Sequence, residues 1–187
     1  MGGPSATVLF SKPMEDARVR SIIEQSVRGV LRSSERVLET PRGTTWHQYA
    51  FDGRLFLVSH GEEDPGEWQD LKERNIAALI GWQVEDQVSI GAECNDDRDH
   101  LLLGKAVLSI AAECGGVVSF TGCPPTPEST PGDAEQRFVK LTEAFPGRLY
   151  RLAYRDEKGQ MLPAHEFLCD ATFLRAWLIH PYFRMLK

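Results

Sequence analysis

The run from Val88 to Phe120, VSIGAECNDDRDHLLLGKAVLSIAAECGGVVSF, constrains the fold more than any other stretch. Val88, Ile90 and Ala92 alternate with polar or small neighbours, the period-two pattern of a half-buried strand. Asn95-Asp96-Asp97 interrupts that pattern. Short polar side chains of this kind satisfy the free N–H groups at a helix start. Leu101 to Ala112 is apolar nearly all round, so the helix it predicts must be covered on more than one side. Leu103, Val107 and Ile110 share one face of it and are predicted core. Gly115-Gly116 closes the helix, because glycine takes the left-handed conformation of a C-terminal cap at little cost. Val117, Val118 and Phe120 then read as a second strand. The whole run predicts a β-α-β unit.

The flanking segments extend the same alternation of strands and helices. Ala6 to Phe10 is a short apolar strand. Val19, Ile22, Ile23, Val27, Val30 and Leu31 recur at helical spacing and predict an amphipathic helix from Met14 to Leu31, with Pro13 at its opening. Val37 and Leu38 suggest a short strand. Thr45 to Phe51 and Leu55 to Ser59 flank Asp52-Gly53, a two-residue hairpin signal. Gly61 to Gly66 is acidic and turn-rich, and Glu67 to Ile76 predicts a short helix. Thr121 to Asp133 holds four prolines and two glycines and predicts a long loop. Ala134 to Phe145 predicts a helix. Leu149 to Arg155 and Met161 to Leu168 predict a second hairpin about Lys158-Gly159. Asp170 caps a last helix through Ile179, which Pro181 stops, and the apolar tail Tyr182 to Lys187 is expected to dock on the core. The expectation is one α+β domain over residues 1–187: a mixed or antiparallel sheet with helices packed on a face, containing a ferredoxin-like βαβ arrangement.

Composition narrows the function classes. The chain has 187 residues and a formal net charge of -6, with a pI of about 5.4. A nucleic-acid binder shows a basic footprint, and this chain lacks one. No apolar run approaches the ~20 residues that cross a bilayer. MGGPSATVLF has neither the basic nor the hydrophobic region of a secretory leader, so a cytoplasmic location is expected. Cys94, Cys114, Cys123 and Cys169 form no C-x-x-C pair and read as buried free thiols.

Chemical candidates are few. His47, His60, His100, His165 and His180 are scattered along the chain. Asp99 and His100 are adjacent, so on a helix their side chains diverge and cannot clamp one ion. His60 beside Glu62, Glu63 and Asp64 is a richer cluster, whose plain reading is a solvated loop. No metal and no cofactor is expected. Cys94 lies six residues before His100 at a strand-to-helix turn, where a helix start lowers a thiol pKa. That pair is the best enzymatic candidate, against the plainer reading of Cys94 as structural. Two acidic clusters remain: Glu62, Glu63, Asp64 and Glu67, and Asp96, Asp97 and Asp99. Either they are solvated surface or they face a basic protein. Trp46 and Trp68 lie near predicted edges and are candidate anchors for such a partner, or ordinary core residues.

Cys94-Asn95, Asp99-His100, Leu103-Gly104 and Gly115-Gly116-Val117-Val118-Ser119-Phe120 resemble a family of small bacterial proteins of unknown function. The start Met1-Gly2-Gly3-Pro4 also resembles it, as do Phe173 to Leu178, His180-Pro181 and Phe183-Arg184-Met185. Such families resemble immunity proteins of bacterial polymorphic-toxin systems. The resemblance implies a non-enzymatic cytosolic protein that binds and neutralises a cognate, basic toxin domain. The alternatives are a small hydrolase or transferase using Cys94 and His100, or a structural or regulatory interaction module.

Overall fold

The structure, a computed structural model, describes residues 3–33, 46–61, 75–120, 123–124, 133–155 and 161–185. The expectations for Val37 and Leu38, the acidic turn after Gly61 with the helix start at Glu67, most of the proline-rich loop and the Lys158-Gly159 turn lie outside these residues. Among the described residues eight strands form one sheet: β1 (Ser5–Phe10), β2 (Val30–Ser33), β3 (Trp46–Phe51), β4 (Arg54–His60), β5 (Asp86–Ala92), β6 (Val117–Phe120), β7 (Leu149–Arg155) and β8 (Met161–Asp170). Their order is β2-β3-β4-β5-β1-β6-β8-β7, and every neighbouring pair is antiparallel. The helices are α1 (Asp16–Ser26), α2 (Asp97–Cys114), α3 (Ala134–Thr142) and α4 (Ala171–Leu178), and residues 75–80 are also helical. The fold is α+β.

The β5-α2-β6 unit forms as expected, with one change of arrangement. Its two strands run parallel but do not touch. β1 lies between them, antiparallel to both, with Val8 opposite Val88 on one side and Val118 on the other. This is a split β-α-β unit. The order β4-β5-β1-β6, with α1 and α2 on one face, is ferredoxin-like, and the β2–β3 segment is inserted between α1 and β4.

Alternation along the strands sorts side chains to two faces. Val8, Phe10, Phe56, Val58, Val88, Ile90, Val118 and Phe120 meet Val19, Ile22 and Ile23 of α1 and Leu103, Val107 and Ile110 of α2 in the main core. Leu103, Val107 and Ile110 are fully enclosed. The helices α1 and α2 pack on one face as expected, and the opposite face is covered as well. Leu9, Val117, Leu152 and Leu168 pack there with Ile76 and Ile80 of the helical residues 75–80. Gln87 and Ser89, read as the wet side of β5, are therefore buried. Thr7 and Ser89 share a hydroxyl hydrogen bond of 2.9 Å across the strands, and Ser119 donates to Glu166. Buried hydroxyls need such partners.

α1 ends earlier than its periodicity suggests. The N–H groups of Val27 and Gly29 both reach the carbonyl of Ile23, at 3.3 Å each, and Arg28 turns to a φ of 51°. A Cβ at Gly29 would lie 2.6 Å from Ile23 Cγ2, so the chain needs glycine to leave the helix here. Val30 and Leu31 then enter β2 rather than a last helical turn.

The C-terminal tail docks as expected. Phe138 meets Phe167 and Trp177 edge-on, with ring centres 5.4 and 5.3 Å apart. Trp177 donates from Nε1 to the carbonyl of Arg184 at 3.3 Å. Gly104 of α2 makes room for the tail: a Cβ there would sit 2.5 Å from Phe183 Cζ and 2.7 Å from Leu178 Cδ1. Met185 is buried.

Candidate functional site

The densest set of charged groups lies where β5 passes into α2. Asp96 is the N-cap, and its carboxylate accepts from the backbone N–H groups of Arg98 and Asp99 at 3.0 and 3.1 Å. Asp99 reciprocates by accepting from the N–H of Asp96 at 3.0 Å. This capping box satisfies donors that the helix itself leaves free. It also draws carboxylates to the positive end of the helix dipole.

Three arginines from separate parts of the chain close on this turn. Arg54, at the start of β4, donates to Asp99 through Nε and Nη2 at 2.8 and 2.9 Å and also reaches Asp96. Arg98 pairs with Asp52 at the tip of the β3–β4 hairpin, where Asp52 and Gly53 take φ values of 47° and 82°. These positive φ values are those of the tight turn that Asp-Gly favours. Arg184 of the tail pairs with Asp97. Gln48 donates to Glu93 at 2.6 Å on the same side. Hydrogen bonding by Arg54 holds the Asp99 carboxyl below its ordinary range, although burial opposes this. The bond from Arg98 does the same for Asp52.

His100, in the first turn of α2, ties the turn to the tail. Its Nδ1 accepts the N–H of Met185 at 3.0 Å, so the ring proton sits on Nε2 and donates to Asn95 Oδ1, also at 3.0 Å. Burial and then the nearby Arg184 push its pKa down, which favours this neutral form. Neither nitrogen bonds the Cys94 thiol. Cys94 is exposed, which corrects the expectation of a buried thiol, and of the four free thiols Cys169 alone is buried.

The expected site residues fall into three groups. Asp96 and Asp97 are exposed, with Asp97 87% accessible. Asp99, expected on the surface with them, is enclosed against Arg54 and organises the turn from behind. Trp46, expected as an anchor, is 9% exposed and packed in the sheet beside Ser59. Glu62, Glu63, Asp64, Glu67 and Trp68 lie outside the described residues. Asp52 and Glu93 join the exposed carboxylates of the turn; sequence reasoning missed Asp52 because the hairpin tip is distant along the chain, and passed over Glu93 although it lies three residues before Asp96.

A second arrangement also escaped the sequence. His60 lies between Asp86, 2.9 Å from its Nε2, and Asp16, which bonds Nδ1. Ionised carboxylates only accept, so this arrangement favours the imidazolium, with both ring nitrogens donating. Burial lowers the His60 pKa, but the bonds to Asp16 and Asp86 outweigh it and the net shift is upward. Asp86 is itself anchored by the N–H groups of Met14 and Gln87, at 2.7 and 2.8 Å. Among the described residues no group of three or more His, Cys, Asp or Glu side chains is placed to hold a metal ion. Among the same residues no helix is long and apolar enough to cross a membrane.

No curated protein and no solved structure matches the chain. A family model does, over residues 2–187. The chain belongs to that family, DUF6368, a family of unknown function.

Proposed function

We propose that this is a non-enzymatic cytosolic immunity protein, which binds and neutralises a basic toxin domain through the acidic turn between β5 and α2. The observation that carries the reading is a set of exposed carboxylates already fixed in place. Asp52, Glu93, Asp96 and Asp97 are exposed and Asp99 stands behind them; Arg54, Arg98 and Arg184 bond the four aspartates and Gln48 bonds Glu93. Carboxylates held by the protein's own bonds lose little freedom when a partner arrives. A toxin that attacks nucleic acid carries positive charge to hold phosphates, and an acidic surface can occupy that groove. The net charge of -6 adds long-range attraction.

The first test is the neighbouring gene, which should encode a multidomain toxin immediately upstream. Co-expression with that toxin's C-terminal domain should protect the cell. In binding kinetics, Asp52→Asn with Asp97→Asn should slow association more than it speeds dissociation, and more at low salt than at high salt. An association rate indifferent to both the substitutions and the salt would remove this turn from the interface. The exposed Cys94 thiol is the one observation favouring a small hydrolase or transferase instead. Under the immunity reading Cys94→Ser protects cells as well as the parent does. Loss of protection in a folded Cys94→Ser variant would favour the enzyme.

A further inference from the structure

At the far end of β4 from the acidic turn, α1 faces β3 and β4 across a pocket of about 390 Å³. Asp16 and Arg20 line it from the helix, and His47, Tyr49 and His60 from the strands, with Val19 on the apolar wall. His47 Nδ1 is buried in the described structure and has no hydrogen-bond partner. Among the described residues Arg20 has no carboxylate partner either. Asp16 is four residues earlier on the same helix and well placed to pair with it, yet its carboxylate turns to His60 Nδ1.

We propose that this pocket binds a small oxyanion, a carboxylate or a phosphate group, held by Arg20 and His60 Nδ1. Asp16 marks the position. Its side chain is 91% exposed, so an incoming oxyanion can take its place on His60 Nδ1 while Asp16 turns to water. The ligand's other oxygens then lie against Arg20, which lines the same pocket. The second carboxylate, Asp86, does not compete. Two backbone N–H groups and His60 Nε2 occupy it, and it holds the imidazolium with Nδ1 towards Asp16.

The experiment titrates the full chain with inorganic phosphate and, separately, with acetate at constant ionic strength. It follows the ring carbon and proton resonances of His47 and His60. Both rings should shift along one saturating curve, and the tighter of the two anions identifies the group the pocket takes. Arg20→Ala, a surface change, should abolish saturation. Asp16→Asn removes the internal competitor and should tighten binding by about two- to five-fold, the span of an exposed ion pair. The proposal is overturned if neither anion saturates, if binding survives Arg20→Ala, or if Asp16→Asn leaves the affinity unchanged.

Discussion

Replacing Asp99 by asparagine tests whether the acidic turn is organised from behind. The substitution keeps the size of the side chain and one acceptor oxygen. It removes the charge that faces the two Arg54 donors at 2.8 and 2.9 Å. Hydrogen bonds to charged groups contribute roughly 1.5–3 kcal/mol, against roughly 1 kcal/mol for neutral ones. Breaking a fully buried ion pair from one side costs roughly 3–5 kcal/mol. Arg54 keeps 30% of its side chain in solvent and can turn to water, so the loss should be lower, about 2 kcal/mol. Asp97→Asn is the comparison. It breaks an exposed pair with Arg184 and should cost less than about 1 kcal/mol. The assay is urea unfolding, with a lower midpoint and an unchanged slope for Asp99→Asn. Acid adds a second readout. The Asp99 pKa is depressed on folding, so its stabilisation is present above the unfolded value of about 3.9 and is lost as pH falls through the folded one. The parent should therefore lose stability in acid more steeply than Asp99→Asn. A cost for Asp99→Asn no larger than that for Asp97→Asn would refute this account of the turn.

Leu103→Ala and Ile110→Ala each empty a fully enclosed position on α2 and should cost about 2–5 kcal/mol in urea unfolding. Gly104→Ala gains about 1 kcal/mol of helix propensity but drives a methyl group into Phe183 and Leu178, so trypsin should cleave the tail at Arg184 faster than in the parent. The two histidines should move stability in opposite directions with pH. His60, with its pKa raised on folding, stabilises fully below about pH 6.5 and loses that contribution as pH rises through its folded value. His100, with its pKa lowered, stabilises above about pH 6.5 and loses its contribution as pH falls towards its folded value. Unfolding midpoints across this range should show His60→Ala flattening the alkaline side and His100→Ala the acid side.

What the sequence made legible is what neighbouring residues decide. The helix start at Asp96, the glycine cap at Gly115 and the Asp52-Gly53 hairpin are local chemistry, and all three form. Strand order is not local. Nothing in β5 or β6 announces that β1 will lie between them, because that follows from burying the faces of all three strands together. Burial of Gln87 and Ser89 escaped for the same reason, since the second apolar cluster on that side of the sheet is gathered from separate elements. The charged sites were harder still. Asp96, Asp97 and Asp99 look alike in sequence, and Arg54, 45 residues before Asp99, is what buries one and fixes another. His60 was read beside its sequence neighbours Glu62 to Asp64. Its observed partners lie 44 and 26 residues away.

The arginines at the acidic turn have two opposed effects on any partner. Each one cancels a charge, which weakens long-range attraction and makes association less steeply salt-dependent than the carboxylates alone would allow. Each one also fixes the carboxylates it bonds, which lowers the ordering cost of docking. The fixing groups come from β4, from α2 itself and from the tail, so the shape of the surface depends on the whole fold being in place. His100 strengthens that dependence, because it bonds the tail through Met185 and the turn through Asn95. A change that frees the tail should therefore alter how long a bound partner stays as well as the stability of the fold, with Arg184 leaving Asp97 as the link between the two.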